Sequence, residues 1–255
     1  MILSRLSRHL REQNWVAVII EFVIVVLGVA VGFQLTERYD RAQRAMAEAE
    51  YLEGIATDYR IYQNLLLCRI DLETEIMQGL SHLISVTEGD ALNEAQLESV
   101  ILALNMSHIS QPGLPVEGNT SALVAGDLVA TISDEDLRGL ILAAQSISTS
   151  TTTSMQQVQD FFLTIERFDV ATRRDFDAGS GYYIASSVDV ETLRAHPDIR
   201  NILIDLYNLH RSSQLNDERL LRAVTNVLTR LETIGAIAAP ETEPSCESGA
   251  AASAD

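Results

Sequence analysis

The chain has 255 residues, with 36 acids against 18 bases, so its formal charge is 18 − 36 = −18. All 18 bases are arginine, 47% of residues are hydrophobic, and there are two cysteines. Such a chain is too apolar to be disordered throughout, too acidic to bind nucleic acid through bulk charge, and too poor in cysteine to be a disulfide scaffold.

Residues 1–14 form a short tail carrying Arg5, Arg8 and Arg11. Residues 15–35, WVAVIIEFVIVVLGVAVGFQL, then run apolar with one charge, Glu21. At about 1.5 Å per residue they reach about 31 Å, the thickness of a bilayer core. Trp15 and Tyr39 suit the two interfaces. A cleaved signal peptide fits less well, because the run is too long and Ala30-Val31-Gly32 is a poor cleavage site. Arg5, Arg8 and Arg11 before the span balance Arg38, Arg41 and Arg44 after it. The α-amino charge, and the 12 arginines against 32 acids in residues 45–255, favour an N-terminus in the cytoplasm and a domain outside it. The expected location is a bacterial inner membrane, with the main domain periplasmic.

Within the span, Gly28 and Gly32 make a G-x-x-x-G pair that lets two helices approach closely. Glu21, seven residues before Gly28, falls near the same face. It reads either as an intramembrane functional carboxylate or as a neutral group in a helix contact.

Residues 36–86 carry no proline and predict one long helix, first a stalk and then a member of a bundle. A 3–4 spacing runs through Ala42, Ala45, Ala49, Leu52, Ala56, Tyr59, Gln63, Leu66, Ile70, Glu73, Met77, Leu80 and Ile84, a heptad-like seam that Gln63 and Glu73 interrupt.

Residues 87–236 predict an antiparallel helical bundle. Asp90 is the expected cap of a helix over 91–106, and Ser107 to Asn119 the longest loop. A short helix follows over about 120–131. Ser133-Asp134-Glu135-Asp136 opens a longer one in capping-box form, expected to continue through the tract Ser146 to Ser154 as far as Phe176. Ala178 to Gly181 is a loop, Asp189 caps a short helix to Ala195, and Pro197 starts a last helix over about 198–234. The fold class is all-α, with no strand expected. Residues 237–255 read as a disordered tail.

Two stretches carry a resemblance. One is Glu21 through Gly28 to Gln34, with Glu37-Arg38, Glu50-Tyr51-Leu52 and Asp58. The other is Thr120 to Leu123, Gly126-Asp127-Leu128 and Ile132 to Arg138. Together they resemble a bacterial family of single-pass membrane proteins with a helical domain of unknown function. The resemblance implies a span plus a helical domain, makes Glu21, Gly28 and Gln34 family features, and implies no activity.

Chemistry-bearing motifs are sparse. None of the five histidines has metal-ligand spacing, and no phosphate loop, dinucleotide fingerprint or nucleophile elbow occurs. His196 to His210, with Asp198 and Asp205, is the densest histidine and acid region, read as the surface of a helix start. Arg173-Arg174 reads as a mixed-charge face. Cys68 and Cys246 can pair if the domain lies in an oxidising compartment. No cofactor or metal is expected. The leading expectation is a non-enzymatic scaffold or interaction protein that meets the lipid bilayer and either itself or a membrane partner. The alternatives are a subunit of a signalling or proton-coupled complex using Glu21, and a small-molecule sensor with its ligand near the serine/threonine tract.

Overall fold

The computed structural model describes residues 15–106, 128–163, 172–177, 182–240, 244 and 246. It is all-α in class. Among the described residues the helices are α1 (Trp15–Glu88), α2 (Glu94–Met106), α3 (Glu135–Leu163), α4 (Val190–Ala195) and α5 (Pro197–Thr233), with a 3-10 turn at Leu128–Thr131. The chain divides into two units, residues 1–50 and 51–255.

In the first unit, α1 is the only described element. It is long and apolar enough to cross a membrane, and every described side chain from Val18 to Leu35 is exposed, Phe22 by 68% and Phe33 by 73%. Beyond this run the surface turns polar, with a Glu37–Arg41 pair at 2.7 Å one helical turn apart. The N-terminal arginines lie outside the described residues.

The second unit is the bundle. Its pairings set the direction of α5 against α1: Gln63 meets Thr225, Glu73 meets His210, and Glu88 meets Arg200, so the two helices run antiparallel. Buried along α1, Leu52, Ile55, Tyr59, Tyr62, Leu66, Arg69, Glu73, Ile76, Leu80 and Leu83 form a 3–4 alternation that keeps one stripe turned inward, with Ala56, Met77 and Val86 buried beside it. The expected seam shares Leu52, Tyr59, Leu66, Glu73 and Leu80 of this stripe, and the buried Ala56 and Met77 beside it. It departs at Gln63, Ile70 and Ile84, which are only half-buried, and at Ala42, Ala45 and Ala49, which are exposed. On α5 the buried stripe is Leu203, Leu206, His210, Ser213, Asp217, Leu220, Val224, Val227 and Leu231, with Ile199, Gln214 and Leu228 also buried; on the described part of α3 it is Leu137, Ile141, Ala144, Ser148 and Thr151.

These stripes form two apolar clusters. One joins Leu52 to Leu66 of α1 with Leu137 to Ala144 and Leu220 to Leu231; the other joins Ile76 to Leu83 with Val100 to Leu104, Ala185, Leu193 and Ile199 to Leu206. Gly79 allows α2 to cross α1 closely: a Cβ there would collide with the backbone oxygen of Ser99 and with Ala103.

The helix ends follow local chemistry. The start of α2 moves from the expected Asp90 to Asn93, whose Oδ1 accepts from the Gln96 amide at 2.9 Å while Gln96 Oε1 accepts from the Asn93 amide at 3.0 Å. This reciprocal box outweighs a lone aspartate three residues earlier. For α3 the cap is Asp134, not Ser133: its Oδ1 accepts from the Leu137 amide at 2.7 Å. Asp189 caps α4 as expected from the sequence, accepting from the amides of Glu191 and Thr192. Gly89 and Gly235 end α1 and α5 at positive φ, where the following amides close six-residue turns, Asp90 to Ser85 and Ala236 to Leu231.

Two expectations are corrected. Helix α3 runs unbroken through the serine/threonine tract, with Thr149, Thr151 and Thr152 donating to carbonyls four residues back, but it ends at Leu163 rather than Phe176. The chain instead forms an antiparallel hairpin, β1 (Thr172–Asp177) and β2 (Tyr182–Val188), with an irregularity between Arg173 and Arg174. Thr172, Phe176, Tyr182, Tyr183, Ile184 and Val188 favour extended backbone. Asn105 of α2 grips the hairpin by both amide atoms, donating to the Ala185 carbonyl and accepting from its N–H. The expected tail is also partly fixed: Arg60 donates to the Ala238 carbonyl at 2.7 Å, and Ala236 and Ile237 pack on the first apolar cluster. Most of the expected 107–119 loop, 120–131 helix, 178–181 loop and terminal tail lies outside the described residues.

Candidate functional site: a buried polar layer

The eight buried polar or charged residues among those described are Arg69, Glu73, Ser148, Thr151, His210, Ser213, Gln214 and Asp217. They sit at one level of the bundle, between the two apolar clusters. The same 3–4 stripe that carries leucine and isoleucine above and below carries these groups in the middle.

Glu73 is the hub. Its Oε2 accepts from His210 Nδ1 at 2.6 Å and its Oε1 accepts from Ser213 Oγ at 3.2 Å. A short bond to a ring nitrogen fixes the imidazole plane and tautomer. His210 is 2% exposed, and its Nε2 has no hydrogen-bond partner among the described residues. One turn along, Arg69 Nη2 lies 3.0 Å from Asp217 Oδ2, with side-chain exposures of 8% and 0%. Proximity makes them an ion pair, yet the alignment falls short of a hydrogen bond, leaving both Asp217 oxygens without a well-aligned donor among the described residues. Burial pushes the Asp217 carboxyl up to about 6, and Glu73 pushes the same way; the attraction of Arg69 only partly offsets them.

The layer is framed by neutral bonds. Gln214 Nε2 donates to Thr74 Oγ1 at 2.7 Å, and Arg211 donates to Gln214 Oε1. Tyr62 and Ser148 share a hydrogen bond at 3.2 Å, tying α3 to α1. Burial raises the Tyr62 hydroxyl above its ordinary range. No group of three or more histidine, cysteine or acidic side chains that could hold a metal occurs among the described residues.

Of the residues singled out in the sequence, Cys68 and Cys246 are joined as a disulfide beside this layer, Cα atoms 4.6 Å apart and 178 residues apart in the chain. Glu21, Gly28, Gly32 and Gln34 all lie on exposed helix surface, and nothing stands within 4 Å of where a Cβ would sit on either glycine. The histidine and acid region divides: His196, Asp198 and Asp205 are exposed, but His210 is buried, correcting its expected place on the surface. Its position on the α5 stripe explains the difference, because Leu203, Leu206 and Leu220 on the same stripe carry it inward. Arg69 and Asp217 were not singled out at all. The signal was present: polar residues at consecutive stripe positions on two helices point to a shared layer. Family models, curated proteins and solved structures were compared with the chain, and none matches it.

Proposed function

We propose that the chain is a membrane-anchored, non-enzymatic interaction protein whose helical domain works outside the cytoplasm. In this reading residues 15–35 cross a bacterial inner membrane and the preceding arginines stay inside. One observation carries it. The helix that is bare and apolar over residues 18–35 continues unbroken into a bundle closed by a disulfide. Exposed apolar surface on that scale calls for lipid or protein cover, and a disulfide calls for an oxidising compartment. The partner surface in the membrane is the open Gly28 and Gly32 face with Glu21 near it, and its first occupant is a second copy of this chain.

The test is topology. In whole cells, Cys246 of a Cys68→Ser variant is exposed to a membrane-impermeant thiol reagent. Labelling before permeabilisation is expected. Labelling only after the inner membrane is opened overturns the reading. Gly28→Leu with Gly32→Leu is expected to lower cross-linked dimer in membranes; an unchanged yield removes the self-association.

A second reading, a small-molecule sensor, draws on Ser148 and Thr151. The serine/threonine tract places these two hydroxyl residues in the buried polar layer. A ligand-dependent rise in melting temperature tests it.

A further inference from the structure

The charges of the buried layer do not balance. Its ionisable groups are Arg69 and Glu73 on α1 and His210 and Asp217 on α5. Glu73 meets His210 and Ser213 on its two oxygens. In a formal count, with both acids taken as carboxylates and His210 as a neutral ring, the single ring N–H goes to Glu73. Arg69 then faces two carboxylates, and the layer carries a net charge of −1 among groups that are all at least nine-tenths buried. An excess buried charge is costly, and one added proton removes it.

That proton has two possible seats, Asp217 and the Nε2 of His210. On Nε2 it would create a second buried N–H with no acceptor among the described residues. On Asp217 it neutralises a side chain with no exposure and no well-aligned donor. The other titratable group turned toward Asp217 is Tyr62 of α1. The described part of α3 brings only the hydroxyls of Ser148 and Thr151 to this level. Arg211 and Glu218 stand at the partly exposed rim, 4.0 Å apart.

We propose that Asp217 is the proton switch of a latch between α1 and α5, taking up one proton as the surroundings acidify and gripping the two helices more firmly in its protonated form. Burial moves the Asp217 carboxyl in the direction this requires. The folded chain holds the proton more tightly than the unfolded chain, so the stability it contributes is full below about pH 4 and is lost as pH rises through about 6. An acid-tightened bundle suits a protein that reports the acidity of its compartment.

The experiment uses the full chain in detergent micelles. Urea unfolding is followed from pH 4 to pH 8 for the wild type and Asp217→Asn. The asparagine keeps the shape and removes the titration. The wild-type folding constant is expected to fall, relative to the variant, by up to about tenfold per pH unit between pH 4 and 6. The two curves should then run parallel above pH 7. Parallel curves throughout overturn the proposal, and so assign the proton to another group. Should the variant fail to fold, the Asp217 carboxyl carbon in the wild type is titrated by 13C NMR. A midpoint near 6 upholds the latch, and one below about 5 overturns it.

Discussion

At the scale of single residues, the buried layer holds four ionisable side chains, Arg69, Glu73, His210 and Asp217, whose identities oppose their surroundings. Arg69 and Asp217 are buried where leucine would be the default, and each is tolerated because the other is there. Removing one partner leaves a buried charge uncompensated, a loss of about 3–5 kcal/mol. Arg69→Met is therefore expected to lower the urea midpoint sharply at pH 7. Adding Asp217→Leu to it should restore most of the loss, because two apolar side chains fit between two apolar clusters. Recovery in the double variant, measured as a coupling energy, checks the pairing. At pH 5 the single Arg69→Met variant should lose less, since Asp217 is already largely protonated there.

Elements were legible to the extent that one face decides their fate. The long α1, the helix from Glu135 through the threonine tract and the Asp189 cap followed from spacing and local chemistry alone. What failed was phase. Leu52, Ala56, Tyr59, Leu66, Met77 and Leu80 were read on the buried face, but Gln63, Ile70 and Ile84 were taken in place of Tyr62, Arg69 and Leu83, one position off. Arg69 then fell outside the inferred face, and Glu73 read as a flaw rather than a hub. The hairpin was missed for a related reason: helical periodicity around Phe161 and Phe168 was extended across residues whose types favour strand. The disulfide was legible only as a possibility, because pairing depends on where the chain returns. Packing at the element level makes its own predictions. Gly79→Ala should cost about 2 kcal/mol by overpacking, since the added methyl meets the Ser99 carbonyl and Ala103. Asn93→Ala should cost about 1 kcal/mol through loss of the reciprocal cap. Chemical denaturation of both variants, with far-UV dichroism unchanged, separates packing loss from refolding.

On the scale of the whole molecule, chain closure adds to what the core supplies. The Cys68–Cys246 bond spans 178 residues. By loop-closure entropy such a bond destabilises the unfolded state by about 5 kcal/mol. Cys246→Ser, or reduction of the wild type, is expected to lower the melting temperature while leaving α1, α3 and α5 helical. The pH dependence assigned to Asp217 should survive reduction, since the carboxyl and its neighbours do not include the sulfur atoms. Loss of both together would mean that the tail, not the α1 and α5 stripe, holds the polar layer closed.

The return of the tail to Cys68 also sets how the protein bears load. Tension applied between residue 1 and residue 255 travels along α1 to Cys68, crosses the sulfur–sulfur bond and leaves through the last few residues. Residues 69 to 245 lie off that path, so of the bundle only the stretch of α1 from Leu52 to Cys68 carries the load. With the bond intact, an optical trap pulling on the two ends should find no large extension step from the bundle. Once the bond is reduced, the same pull should release about 178 residues, on the order of 600 Å of slack.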